Sequence, residues 1–153
     1  MDIVLWRHGD AHPGEADVAR KLTGKGRKQV AHVAAWLDRH LPESARVLSS
    51  PARRCLETAE ALGRKVHAVD ALLEGEVAAL LEVAGWPDAR NCAVLVGHQP
   101  VLGYLATTLL CGRGRDFAIR KAGVVWLSNR PRGVERDGAD VILRAAIGPD
   151  TIP

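Results

Sequence analysis

Two histidines and two arginines stand at or just after apolar runs that are typical of buried strands. Arg7 and His8 close the run at residues 2–7, Arg54 follows the run at residues 46–49, and His98 follows the run at residues 92–96. A guanidinium fork matches phosphoryl oxygens and stays charged at physiological pH. A neutral imidazole, with an ordinary pKa of ~6.5, can attack phosphorus. Together these residue types predict phosphoryl chemistry that needs no metal.

The apolar pattern predicts strands alternating with helices. Continuous β-prone runs indicate strands, and apolar residues at helical spacing indicate helices. The predicted strands are residues 2–7, 46–49, 66–69, 92–96, 123–127 and 141–146, and the predicted helices are residues 23–41, 50–62, 74–84 and 100–110. Thr23 and Ser50 are predicted N-caps. This alternation favours a mainly parallel α/β sheet covered on both faces, with the last two strands forming an antiparallel edge.

The carboxyl ends of the strands are the expected position of a binding site. In open α/β sheets, ligands bind beyond these ends, where the strand order reverses. Both histidines and both arginines are therefore aimed at one rim of the sheet. Gly9 and Gly97 permit the positive φ values or the close approaches that such strand ends can require.

Length and composition are those of a single globular domain spanning residues 1–153. Of the residues, 47% are hydrophobic and 25% are charged. No stretch approaches the roughly 20 apolar residues of a membrane span. The N-terminus has no signal-peptide pattern. The three cysteines fit neither a disulfide framework nor a CxxC metal site. We therefore expect a cytoplasmic protein with no membrane association.

The net charge of +3 indicates an anionic ligand rather than nucleic acid. Basic residues are scattered, with short clusters at residues 53–54, 113–115 and 130–136. Nucleic-acid binders tend to carry a basic stripe with interleaved aromatics, whereas this chain has only four Trp, one Tyr and one Phe. A phosphorylated or acidic ligand fits the charge at least as well.

Four segments resemble, in order and spacing, the motifs of the histidine phosphatase superfamily. They are LWRHGDA at residues 5–11, LTGKG at residues 22–26, VLSSPARRCLETA at residues 47–59 and VLVGHQPVLGYL at residues 94–105. The short chain and the RHGDA variant look most like the SixA-type phosphohistidine phosphatases of that superfamily. The resemblance implies a phosphoglycerate mutase-like α/β/α sandwich. It also implies a phosphatase that needs no metal or cofactor and works through a phosphohistidine intermediate.

The resemblance also implies a role for each matching residue. His8 matches the nucleophile that becomes phosphorylated. The phosphate-binding set comprises Arg7, Arg54 and His98, with Gly9 placed beside them. Arg54 is favoured over Arg53 because it lies three residues after Pro51, as in the SPxxRxxxT pattern. Arg53 is then a solvated residue or a secondary contact.

The general acid has two candidates. Glu74 falls about where larger relatives carry a catalytic glutamate, and Asp10 lies two residues after His8. Glu74 could instead be a charge that complements the N-terminal dipole of the predicted helix, and Asp10 a loop or cap residue. Phosphohistidine releases imidazole, a better leaving group than an alcohol, so it tolerates a weak acid. The sequence also shows no obvious lid segment, and an uncovered site suits a side chain presented by another protein. Both points favour a phosphohistidine-bearing protein, such as a phosphotransfer domain, as substrate.

Three alternatives remain open. A small-metabolite phosphomonoesterase would use the same four residues, but it should carry a substrate-specific lid. A metal hydrolase could use His8, Asp10, His12 and His98, whose side chains are of the types that bind zinc or iron. The arginines would then place positive charge beside the metal. A non-catalytic module would keep the arginines and bind phosphate without turnover.

Overall fold

The computed structural model describes residues 1–129 and 140–153, and it contains one six-stranded sheet. The strands are β1 (Asp2–Arg7), β2 (Arg46–Ser49), β3 (Val66–Ala68), β4 (Ala93–Gly97), β5 (Val124–Asn129) and β6 (Val141–Ile147). Their order in the sheet is β3-β2-β4-β1-β5-β6. The first four of these are mutually parallel, whereas β5 runs antiparallel to β1 and β6 antiparallel to β5. The expected parallel sheet with an antiparallel edge is confirmed.

Helices cover both faces of the sheet. They are α1 (Gly24–His40), α2 (Arg53–Glu60), α3 (Ala71–Glu74), α4 (Val77–Ala84) and α5 (Val101–Cys111), with a short 3-10 helix at Asp17–Ala19. Alternate residues of β1 point to opposite faces. Val4 packs with α1 and α2 in one apolar cluster, whereas Leu5 packs with α3, α4 and α5 in another. The expected α/β/α sandwich is confirmed.

The strand order reverses between β1 and β4. The connection from β1 leaves through α1 on one face, while the connection from β4 leaves through α5 on the other. The two strands pair in parallel with Arg7 opposite Gly97, and the His8 N–H donates to the Gly97 carbonyl at 3.2 Å. The residues that follow both strands therefore meet at the switch point.

The predicted helix at residues 74–84 is confirmed over residues 77–84, but its predicted start at Glu74 is wrong. The segment forms two helices, α3 and α4, and Gly75 between them has an extended backbone. The Gly75 N–H donates to Ala71 O at 2.7 Å, so the chain folds tightly over the end of α3. A Cβ at Gly75 would lie 2.0 Å from that same oxygen. Glu74 is thus the last residue of a short helix, not a charge at a helix N-terminus.

The predicted N-cap at Ser50 is also wrong. Helix α2 begins at Arg53, and Ala52 occupies its N-cap position without a side-chain cap. The Ser50 hydroxyl accepts the Ala52 N–H at 3.3 Å in the turn that precedes the helix. Thr23, in contrast, caps α1 as expected, because its hydroxyl accepts the Gly26 N–H at 2.9 Å.

The basic cluster noted at residues 130–136 falls outside the described residues. Within residues 1–129 and 140–153, no helix combines the length and apolar character needed to cross a membrane.

The start of α1 packs directly on the loop that follows β1. The Thr23 N–H donates to Asp10 O at 3.0 Å. A Cβ built on Gly26 would lie 2.1 Å from that carbonyl oxygen, whereas a Cβ on Gly24 would meet nothing within 4 Å. Only glycine at position 26 allows this approach, which positions the loop beside the carboxyl end of β1.

We expect Gly26→Ala to lower the free energy of unfolding by about 1–3 kcal/mol, because the methyl group must displace backbone. Gly24→Ala is the matched control in the same helical turn. It should leave stability unchanged or raise it slightly, since alanine is the better helix former. Urea unfolding measures both variants. Equal stabilities for the two would contradict the packing described.

Candidate active site

Arg54 joins the two histidines at the centre of the site. Its Nε donates to His8 Nε2 at 3.3 Å, and its Nη2 donates to His98 Nδ1 at 3.1 Å. The two imidazole centroids lie 5.4 Å apart. Arg54 is only 5% exposed. The structure therefore brings together three of the residues that the sequence predicted, from β1, α2 and the end of β4.

The contacts of His8 fix where its proton lies. Its Nδ1 lies 2.7 Å from the Gly9 carbonyl oxygen. A carbonyl oxygen only accepts hydrogen bonds, so Nδ1 carries the proton and Nε2 keeps its lone pair. Burial, reinforced by the nearby Arg54 guanidinium, lowers the pKa of His8 to about 4. The ring is therefore neutral near pH 7, with Nε2 available as a nucleophile.

His98 is held in the opposite tautomer. Its Nδ1 accepts from Arg54, so its Nε2 carries the proton and donates to Ser50 Oγ at 2.8 Å. Burial, followed by the charge of Arg54, lowers the pKa of His98 to about 4. Both rings are neutral in the free protein, and each turns a lone pair toward the same guanidinium.

Arg7 contributes a second guanidinium from the end of β1. Its Nη1 donates to Ile119 O at 2.7 Å. Its Nε is buried and has no hydrogen-bond partner among the described residues. The chain near Ile119 also holds His8: the Ala122 N–H donates to His8 O at 3.0 Å, and Ala122 O accepts from Trp6 Nε1 at 3.0 Å. Ala122 adopts a left-handed φ of 59° to do so.

These side chains line a cavity of about 400 Å³. The four predicted residues Arg7, His8, Arg54 and His98 all lie on its wall. Arg20, Gln99 and Lys121 extend the wall outward, and Asp17 is the carboxylate among its lining residues. Four cations against one carboxylate make the cavity suited to an anion.

The sequence did not predict the roles of Asp17 and Arg20. Both Arg54 and Arg20 bind the Asp17 carboxylate, at 3.1 Å and 2.9 Å, and Arg54 Nη1 also donates to the Asp17 carbonyl at 2.8 Å. The hydrogen bond from Arg54, followed by that from Arg20, lowers the pKa of Asp17. The sequence around Asp17 and Arg20 has no apolar periodicity. Its only signal for an ion pair was an acidic and a basic residue three positions apart.

Gly9 is not placed to bind phosphate. It does not line the cavity, and its N–H donates to Thr58 Oγ1 at 3.2 Å. Neither Gly9 nor Gly97 has a positive φ. Of these two glycines, only Gly9 makes the predicted close approach to a neighbouring element: a Cβ at Gly9 would lie 2.6 Å from Val30 Cγ2. Gly9 therefore allows the strand end to pack on α1.

Neither candidate acid lies on the cavity wall. Asp10 accepts hydrogen bonds from Lys121 Nζ at 2.6 Å and Thr23 Oγ1 at 2.8 Å. These bonds lower the pKa of Asp10, which makes it a poor proton donor. Glu74 follows Leu73, which does line the cavity. Asp10 is therefore held as a carboxylate by Lys121 and Thr23, and Glu74 stays a candidate acid next to the cavity wall.

The geometry does not favour a metal site. Across the two described ranges, no group of three or more His, Cys, Asp or Glu side chains is placed to hold a metal ion. His12 is exposed, and Asp10 is bound to Lys121 rather than turned toward His8 and His98.

Comparison with known proteins assigns the family. Residues 3–79 match the family model of the histidine phosphatase superfamily (branch 1). The chain is 32% identical over 123 residues to the phosphohistidine phosphatase SixA of Escherichia coli, covering 73% of this chain and 76% of that protein. The chain belongs to the histidine phosphatase superfamily.

Solved structures agree with this assignment. The structure of the protein histidine phosphatase SixA complexed with tungstate matches with a TM-score of 0.78 and 24% identity, over 100% of both chains. A phosphoserine phosphatase of Entamoeba histolytica in complex with 3-phosphoglyceric acid matches with a TM-score of 0.65 and 17% identity, over 95% of each chain. Within its superfamily the protein is a SixA-like phosphatase.

The depressed pKa of His8 predicts a pH-dependent stability. The folded ring protonates near pH 4, whereas the unfolded ring protonates near its ordinary value of ~6.5. Between these values the unfolded state binds the extra proton. We therefore expect the free energy of unfolding to fall by on the order of 3 kcal/mol through His8 as the pH drops from about 6.5 to about 4.

Urea unfolding at several pH values tests this expectation. His8→Asn should remove the His8 contribution and reduce the pH dependence, leaving the part that comes from His98. His12→Asn, at an exposed position, should retain the wild-type slope. The same slope in the wild type and in His8→Asn would show that His8 is not held neutral by the fold.

Proposed function

We propose that the protein removes the phosphoryl group from protein phosphohistidine through a phosphorylated His8. The observation that carries this proposal is the shared contact of Arg54 with His8 Nε2 and His98 Nδ1 at one cationic cavity. It supplies a neutral nucleophile and the groups that bind phosphoryl oxygens in the same place.

In the first step, phosphoryl oxygens bind Arg7, Arg54 and His98. The lone pair on His8 Nε2 attacks phosphorus in line, forming a new P–N bond. The P–N bond to the substrate imidazole breaks, and the departing ring takes up a proton. Arginine forks stabilise the charge that collects on the equatorial oxygens, because charged hydrogen bonds are strong in a partly desolvated site.

In the second step, water attacks the phosphorus of phosphorylated His8. The P–N bond breaks, inorganic phosphate leaves, and His8 regains its lone pair on Nε2. Throughout, the Gly9 carbonyl holds the proton on Nδ1, so the same nitrogen of the ring accepts and releases the phosphoryl group.

The lack of a well-placed acid supports a phosphohistidine substrate. The carboxylate on the cavity wall is Asp17, which two arginines keep ionised. An alcohol leaving group needs a proton donor, while imidazole can leave with a weak one or with water. The ion pairs of Asp17 therefore favour a P–N bond over a P–O bond as the bond cleaved.

A small phosphomonoester is the second candidate substrate. A cavity of about 400 Å³ is within the usual size of a small-ligand site. Lys121 and Gln99 on its wall would contact the body of such a ligand beyond the phosphoryl group.

We further propose the cytoplasm as the compartment. Cys55, Cys92 and Cys111 are all free, and Cys111 is exposed. Free thiols are typical of proteins in a reducing compartment, where phosphohistidine-bearing partner proteins would be encountered.

Substitution of Arg54 and His98, with the neighbouring Arg53 as the control, tests the site. Arg54→Ala and His98→Ala should each lower the turnover of a phosphohistidine-bearing protein by about 100-fold or more, because each removes a group that stabilises the transferring phosphoryl oxygens. Arg53→Ala is the matched control: Arg53 adjoins Arg54 but is exposed and pairs with Glu57 at 3.2 Å. It should keep wild-type turnover.

The nucleophile is tested with the same substrate. We expect His8→Ala to abolish turnover and to prevent labelling of the enzyme by radioactive phosphoryl donor, since the substitution removes the Nε2 lone pair that attacks phosphorus. Full activity in His8→Ala would contradict the mechanism. Stoichiometric retention of phosphate by the wild type, without turnover, would indicate a binding module instead.

Glu74→Gln tests whether a remote acid assists the leaving group. If Glu74 protonates leaving groups, the substitution should lower hydrolysis of alkyl phosphate esters far more than hydrolysis of phosphohistidine. Since Glu74 does not line the cavity of the free protein, such a loss would require it to approach only when substrate binds. Parallel rates on phosphohistidine and alkyl esters provide the measurement, and equal losses would remove the leaving-group argument.

A further inference from the structure

We infer that Ser50 is a positioning residue for His98: its hydroxyl accepts the Nε2 proton of His98 and so directs Nδ1 toward the phosphoryl group. This inference rests on the proposed function in one respect, the placing of phosphoryl oxygens beside His98. It gives Ser50, which the sequence suggested only as a helix cap, a part in the reaction.

The hydrogen-bond directions around His98 carry the inference. Arg54 has no acceptor, so His98 Nδ1 must accept its N–H, and Nε2 must hold the ring proton. Ser50 Oγ lies 2.8 Å from Nε2 and is itself fixed by the Ala52 N–H at 3.3 Å. Ser50 is fully buried, so water does not compete for its hydroxyl.

Binding of an anion changes what His98 must do. To donate to a phosphoryl oxygen, Nδ1 has to gain a proton, and the ring becomes an imidazolium with two N–H donors. The anion accepts one of these and Ser50 accepts the other. Without the hydroxyl, the Nε2–H would face Cys55 Sγ at 3.5 Å, and a thiol is a weak acceptor.

The other charged or titratable groups around His98 do not replace Ser50. Burial raises the pKa of Cys55 to about 12, so this thiol brings no negative charge. Arg54 and His8 face the ring from Nδ1 and from its side, not from Nε2. The groups that act on His98 are Arg54 and Cys55 of α2, His8 and Arg7 at the end of β1, and Asp17 and Arg20 around the 3-10 helix.

Sulfate binding tests the inference without relying on turnover, since sulfate stays a dianion across the pH range used. Titration calorimetry in buffers of different ionisation enthalpy should show that the wild type takes up a proton when sulfate binds. Ser50→Ala should bind sulfate about tenfold more weakly at about pH 6. Sulfate binding to Ser50→Ala should also require a pH about one unit lower than sulfate binding to the wild type.

Ser49→Ala is the matched control. Ser49 is equally buried and adjoins Ser50, but its hydroxyl donates to the Ser50 carbonyl at 2.9 Å and not to His98. This variant also loses one buried serine hydroxyl at the end of β2. It should keep both the wild-type affinity for sulfate and the wild-type pH dependence of sulfate binding. The same behaviour in Ser49→Ala and Ser50→Ala would overturn the inference, because a merely structural role would affect both.

Nitrogen NMR of histidine-labelled wild type provides a measurement that needs no variant. His98 should appear as the Nε2–H tautomer in the free protein and as an imidazolium with sulfate bound. An Nδ1–H tautomer in the free protein would overturn the inference even if Ser50→Ala did not fold.

Phosphohistidine turnover, measured on the same proteins, separates this inference from the proposed function. Turnover without proton uptake on sulfate binding refutes the inference and leaves the function standing. Proton uptake that depends on Ser50 in a protein without turnover supports the inference and refutes the function.

Discussion

A single buried guanidinium holds the site together. Arg54 carries five N–H donors in one plane, and four groups receive them: His8 Nε2, His98 Nδ1, and the carbonyl and carboxylate oxygens of Asp17. A buried charge is costly unless it is paired, and Asp17 supplies the pairing. Burial lowers the pKa of both imidazoles and the same cation adds to this effect, so both rings are neutral beside a guanidinium that stays charged.

The sheet topology makes that interaction possible. Strands β1 and β4 lie side by side in parallel, so the residues after them leave the sheet at one point although they are about 90 positions apart in sequence. Helix α2 then starts beneath the same rim and delivers Arg54 from its first turn. Each of the three elements brings a different side chain, and an exchange of strand order would separate them.

The sequence was informative where a side chain is tied to a strongly apolar element. Arg7 ends, and His8 and His98 follow, apolar runs that are typical of buried strands, and the switch-point rule places the ends of these strands together. It was uninformative at Asp17, which lies in a short 3-10 helix with no buried residue. The break after Glu74 was missed because it arises from how Gly75 packs on the carbonyl of Ala71, a contact that periodicity does not encode.

The left-handed turn at Ala122 has a consequence for the energetics of ligand capture. A non-glycine residue rarely adopts this backbone conformation, and the surrounding contacts must stabilise it. Those contacts join Trp6 and the carbonyl of His8 to the segment whose Ile119 carbonyl binds Arg7. The cost of ordering this wall is therefore met when the chain folds, so an arriving anion meets a preorganised receptor and loses little of its binding energy to rearrangement.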